Sequence, residues 1–141
     1  MRPSTFLDTA YALALAVAKD RHHERALNLA DQLESTGTPL VTTRPVLLEI
    51  GDALSKQGRR PAAVELLNAL ESDPNVEIIP LSESLYQQAV QLYTQRPDKE
   101  WGLTDCVSFV VMKSRGITDA LTTDEHFQQA GFRALLRSEE T

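Results

Sequence analysis

The chain has 141 residues, 42% hydrophobic and 24% charged, with 20 acidic against 14 basic side chains and a net charge of −6. That size suits one soluble globular domain, residues 1–141, able to bury roughly two-thirds of its unfolded surface without staples. The acidic balance argues against a general nucleic-acid binder with a basic footprint, but not against a nuclease whose metal ions neutralise its acids, and the single cysteine, Cys106, excludes an intrachain disulfide and suits a reducing compartment, the cytoplasm.

Ser4–Leu7 reads as a short buried strand ending at Asp8, and "DTAYALALAVAK" as an alanine-rich helix. The same stretch could imitate the core of an export signal. Asp8 interrupts it, however, and "KDRHHER" follows Ala18 at once, so we read it as part of the fold. No other segment approaches the ~20 apolar residues of a membrane span. His22–Ser35 is helical, with Ala26, Leu29, Ala30 and Leu33 on one face. "TGTP" is a turn and "PLVTT" a strand. Arg44–Lys56 is a helix stopped near Gly58, and Pro61 opens the next, whose stripe is Ala63, Leu66, Leu67 and Leu70. "VEIIPL" is a strand, and Ser82 caps a helix that turns Leu85, Ala89 and Leu92 inward. Arg96–Gly102 is a loop. Thr104–Ser114 is apolar around most of its circumference and should be central. "DALTT", "DEHFQQAG" and "FRALL" close the chain as strand, short helix and strand. This alternation predicts an α/β fold, three layers α/β/α, with a mainly parallel sheet whose ligands gather at the carboxyl ends of the strands.

That rule singles out acids. Asp8 follows the first strand and Asp124 follows "ALTT", so both belong to one sheet edge; Asp105 opens the buried helix and can face the same edge. On its helix, Glu49 stands about 40° from Ala53 and about 60° from Val46, at the border of an apolar arc made with Leu47, Ile50 and Leu54, which predicts a part-buried carboxylate in need of a partner. Each acid alone has a structural explanation: a helix cap for Asp8 and Asp124, a first-turn acid for Asp105, a pair with Arg44 or Arg60 for Glu49. Four together do not. Two carboxylates about 4 Å apart repel by on the order of 4 kcal/mol at an effective dielectric near 20. A divalent cation, Mg²⁺ or Mn²⁺ for an oxygen-rich site, relieves that repulsion and brings phosphodiester hydrolysis within reach.

"FLDTAYALAL", "LLEIGDAL", "WGLTDCVSFVVM" and "ALTTDEHFQQAGF" resemble the successive acidic motifs of PIN-domain ribonucleases, in particular the VapC-type toxins of toxin–antitoxin pairs, over Thr5 to Leu136. The resemblance implies a Mg²⁺- or Mn²⁺-dependent endoribonuclease. Asp8, Asp105 and Asp124 would hold the metal and Glu49 would hold or orient its water. Thr122, and Thr9 beside Asp8, would support the pocket. It further implies an RNA substrate such as tRNA or rRNA, a cognate antitoxin that blocks the pocket, and a homodimer.

Other residues invite functional readings. "KDRHHER" reads as a solvated helix start, Asp52 as a surface acid, and Asp119 as too far along its strand to join the site. Arg44 is the better candidate to meet substrate. We read His126 as local packing beside Phe127 rather than a general acid, Cys106 as core, and Trp101 as a loop anchor. A non-catalytic module of the same fold, docking a basic partner or RNA, is the alternative function. A phosphoacceptor receiver is disfavoured because neither late strand offers a lysine.

Overall fold

A computed structural model describes residues 3–56 and 58–137. The expected domain 1–141 also takes in residues 1, 2, 57 and 138–141, which lie outside the described residues. The elements run β1 (Thr5–Leu7), α1 (Thr9–Ala16), α2 (His23–Thr36), β2 (Leu40–Thr43), α3 (Arg44–Ala53), α4 (Arg60–Ser72), β3 (Val76–Ile79), α5 (Glu83–Gln95), α6 (Leu103–Arg115), β4 (Asp119–Leu121), α7 (Glu125–Gln129) and β5 (Arg133–Ala134). All pairings are parallel, in the order β3-β2-β1-β4-β5. One layer of helices is built from α1 to α4, which contact one another, and the other from α5 to α7.

The order predicted from the sequence stands, with several elements shorter and α6 one residue longer at each end. The first helix ends at Ala16 rather than Lys19, because the chain turns there: Asp20 N–H reaches Val17 O, and His23 Nδ1 lies 2.7 Å from Ala14 O. The strand expected over 119–123 stops at Leu121, the last residue of β4 that pairs with β1. The last strand keeps two residues before a turn. Gly37 and Gly116 close α2 and α6 in the left-handed conformation, at φ of 66° and 67°, which glycine adopts without a Cβ penalty.

Strand order reverses at β1. The chain leaves β1 toward β2 and β3, then returns on the other side as β4 and β5, so β1 and β4 are neighbours with diverging exits. Such a switch point opens a crevice at the carboxyl ends of its strands. An aromatic cluster underpins it. Phe127 on α7 is fully buried, edge-on to Phe109 of α6 at 5.0 Å and 6.2 Å from Phe6 of β1. These three rings lie two residues before Asp8, four after Asp105 and three after Asp124. Packing therefore sets how the three acid-bearing segments approach one another.

Candidate active site

Register carries Asp8 to its place. Leu7 pairs with Leu121, and Asp8 N–H donates to Leu121 O at 3.3 Å, so Asp8 lies beside Thr122 just past the strand ends. Thr122 is fully buried; its hydroxyl donates to Asp8 Oδ2 at 2.7 Å and accepts the Asp124 N–H at 3.0 Å. One hydroxyl thus ties the first acid to the last. Thr122→Val should cost about 1–3 kcal/mol, the usual penalty for stranding buried polar groups. Thr122→Ser should restore most of it. A urea melt of the three proteins checks this, and a loss below about 0.5 kcal/mol would remove the hydroxyl from the account.

The remaining acids come from helix starts. Asp105 sits in the first turn of α6, where its Oδ2 accepts the Gly102 N–H at 3.1 Å. Asp124 caps α7, its Oδ1 accepting the His126 N–H at 2.9 Å. The structural explanations for both are thus real, and do not compete with a shared site. Asp8, Thr9, Ala10, Leu13, Glu49, Asp105, Thr123, Asp124 and His126 line one open cleft of about 460 Å³. Four carboxylates face it, and among the described residues no lysine or arginine lines it.

Two expectations need correction. Glu49 is exposed, not part-buried, because Ala53, assigned to the apolar arc, also faces solvent; the buried arc is Val46, Leu47, Ile50 and Leu54. The Thr9 hydroxyl does not support Asp8 but donates to Glu49 Oε1 at 2.6 Å, across the contact of α1 with α3. Arg44 starts α3 at the sheet edge but is ion-paired to Glu71 and does not line the cleft. Asp52 is exposed, and Asp119 pairs with Arg133 at 3.1 Å. Trp101 is buried, donating from Nε1 to Gln129 Oε1 at 3.0 Å and packing edge-on to Phe109. Cys106 is core, and burial pushes its thiol up.

His126 is the residue sequence reasoning undervalued. Its Nδ1 lies 3.2 Å from Asp105 Oδ2 and 3.3 Å from Asp124 Oδ1, between two acids rather than packed away with Phe127. The available signal was its position two residues after an acid that caps its own helix. The ligand atoms of Asp105, Asp124 and His126 all lie within 4.8 Å of one another.

The electrostatics follow. Burial raises the Asp8 carboxyl to about 7, against the pull of Thr122 and the Thr9 backbone, and the charges of Asp105 and Glu49 add to the rise. Burial also raises Asp105, with Asp124 adding to it while the Gly102 N–H and His126 oppose it. Carboxyls held above their ordinary range by burial and by each other, with no lysine or arginine among the described residues of the cleft wall, suit a divalent cation. Asp105 and Asp124 have the spacing to hold one; Asp8 and Glu49 line the same cleft without joining that close set.

A parallel sheet with acids gathered at its switch point suits a nuclease, and the chain belongs to the PIN domain family, whose model matches residues 5–133. It is 30% identical over 128 residues to the 23S rRNA-specific endonuclease VapC20 of Mycobacterium tuberculosis, covering 90% of this chain and 94% of that one. The crystal structure of that protein, described as a Sarcin-Ricin loop cleaving toxin, superposes with a TM-score of 0.80 at 29% identity, over 92% of this chain and 96% of the other. VapBC2 from Rickettsia felis, bound to a promoter DNA fragment, has a TM-score of 0.68 at 17% identity, over 92% of this chain and 96% of that one. FitAcB from Neisseria gonorrhoeae has 0.63 at 20%, over 92% and 94%. These last two bear on the fold alone.

Proposed function

We propose that the chain is a single-domain endoribonuclease, dependent on Mg²⁺ or Mn²⁺, that acts as the toxin of a toxin–antitoxin pair. The observation that carries this is the cleft at the β1/β4 switch point, with four carboxylates and, among the described residues, no lysine or arginine on its wall. A bound divalent cation supplies charge for the scissile phosphate and a more acidic attacking water. Asp8, Asp105 and Asp124 hold that cation. Thr122 fixes the spacing of Asp8 and Asp124, and Glu49, steadied by Thr9, orients water at the mouth. Ribosomal RNA is the first substrate to try, given the relative that cleaves 23S rRNA. An acidic cleft in a chain of net charge −6 also suits an antitoxin that plugs it with a basic segment. A homodimer in the cytoplasm completes the reading; among the described residues no helix is long and apolar enough to cross a membrane.

The test uses purified chain freed of antitoxin, with rRNA and tRNA and millimolar Mn²⁺ or Mg²⁺. Discrete cuts that vanish with chelator are expected. The metal should also raise the melting midpoint, by about 2.7 kcal/mol of stability at a hundredfold excess over Kd. Intact RNA together with an unmoved midpoint would instead favour a docking module.

A further inference from the structure

Four carboxylates explain the charge of the cleft, but not His126. Its ring lies against both Asp105 and Asp124 on the cleft wall, with Nδ1 at 3.2 and 3.3 Å from their oxygens. A six-coordinate shell with bonds of about 2.1 Å has neighbouring ligand atoms about 3 Å apart. Nδ1 already stands at nearly the separation of adjacent corners from each acid oxygen, and the three ligand atoms lie within 4.8 Å of one another. Their position is also well held. Asp124 Oδ1 accepts the His126 backbone N–H at 2.9 Å, and Phe127, the next residue, is fully buried and anchors α7.

We propose that His126 Nδ1 is a direct ligand of the cation held by Asp105 and Asp124, and that this nitrogen makes the site prefer a first-row transition dication such as Mn²⁺ over Mg²⁺. The inference rests on the metal-dependent reading above and deepens it. The chemistry is that of donor type. Mg²⁺ is hard, takes oxygen, and keeps much of its water, so replacing an oxygen by imidazole nitrogen penalises it. First-row transition dications accept imidazole alongside carboxylate. An all-carboxylate site has little of this discrimination; a site with two carboxylate oxygens and an imidazole nitrogen has more. The competing role for the ring is to donate a hydrogen bond from Nδ1 to the two acids and orient them, with no bond to the metal. The two roles differ in a spectroscopic signature.

Chelator-treated protein would be titrated with Mn²⁺ and separately with Mg²⁺, following the thermal midpoint, and the Mn²⁺ form examined by pulsed EPR for coupling to ¹⁴N. The wild type is expected to bind Mn²⁺ at least tenfold more tightly than Mg²⁺ and to show nitrogen coupling. His126→Ala and His126→Asn should lose the coupling and bring the two affinities within about threefold of each other, mainly by weakening Mn²⁺. If the Mn²⁺-loaded wild type shows no nitrogen coupling, or if both variants keep the tenfold preference, the ligand assignment is overturned while the nuclease reading stands. Should the wild type bind neither ion, both fall. The wild-type spectrum decides the matter even where a variant does not fold.

Discussion

Asp105→Asn should lower RNA cleavage at least about a thousandfold, while melting in the absence of metal stays close to wild type or rises. A thousandfold corresponds to about 4 kcal/mol. A unit negative charge about 4 Å from a dication is worth on the order of 8 kcal/mol at an effective dielectric near 20, so losing half of it suffices. The fold should tolerate the change. An asparagine oxygen can still accept the Gly102 N–H that opens α6, and the substitution removes a carboxylate whose pKa is raised by burial and by Asp124. Asp52→Asn is the matched control: the same substitution on an exposed acid, one turn beyond Glu49, which should leave cleavage unchanged. The check is initial cleavage rates at saturating Mn²⁺ with circular dichroism on the same samples. A loss under tenfold in Asp105→Asn, or an equal loss in Asp52→Asn, would detach the cleft from the chemistry.

Much of the frame is legible in the sequence, because it is written in local signals. Asp8 directly follows a run of buried strand residues, Ser82 precedes an apolar stripe, and Gly116 ends an apolar helix; each reports on its own neighbourhood. Where the sequence misled, the deciding fact came from another element. The 100° step of α3 was right, but the centre of its buried arc depends on which helices lie against it, and these cover Leu54 while leaving Ala53 and Glu49 outside. Thr9 sits next to Asp8 in the chain, yet its hydroxyl finds Glu49, 40 residues away. His126 belongs to the cleft because Phe127 locks α7 against Phe109 and Phe6, bringing Asp105 to meet it from α6. The strand order, which makes β1 and β4 neighbours, is likewise set by how the helical layers pack and is not visible in any one segment. A sequence shows which acids end strands and start helices. Which of them touch is a property of the assembled layers.

Without metal, the protein should grow less stable as pH rises from about 5 to 8, and Asp8→Asn should abolish most of that slope. The sign follows from linkage. Asp8 has a carboxyl raised from 3.8 to about 7 in the fold, so between those values the folded state holds a proton that the unfolded chain has released. Stability contributed by the neutral acid is complete below the unfolded value and is lost as pH climbs through the folded one. A rise of about three units corresponds to an upper bound on the order of 4 kcal/mol. Asp105, raised in the same direction, steepens the fall. At the acid end the trend reverses, because Glu77, lowered chiefly by its hydrogen bonds to Arg115, gives up its contribution as pH drops through its folded value. Metal-free stability should therefore peak in mildly acid solution, and at pH 8 Asp8→Asn should melt above the wild type, its amide oxygen still accepting from Thr122. Saturating Mn²⁺ should flatten the wild-type slope, since the cation then does at pH 8 what the proton does at pH 5. Thermal melts in chelator at half-unit steps, repeated with Mn²⁺, measure all of this. A flat wild-type profile in chelator, or coincident melts for wild type and Asp8→Asn at pH 8, would mean that the buried acid is not strained and that its repulsion with Asp105 and Glu49 is not what a cation relieves.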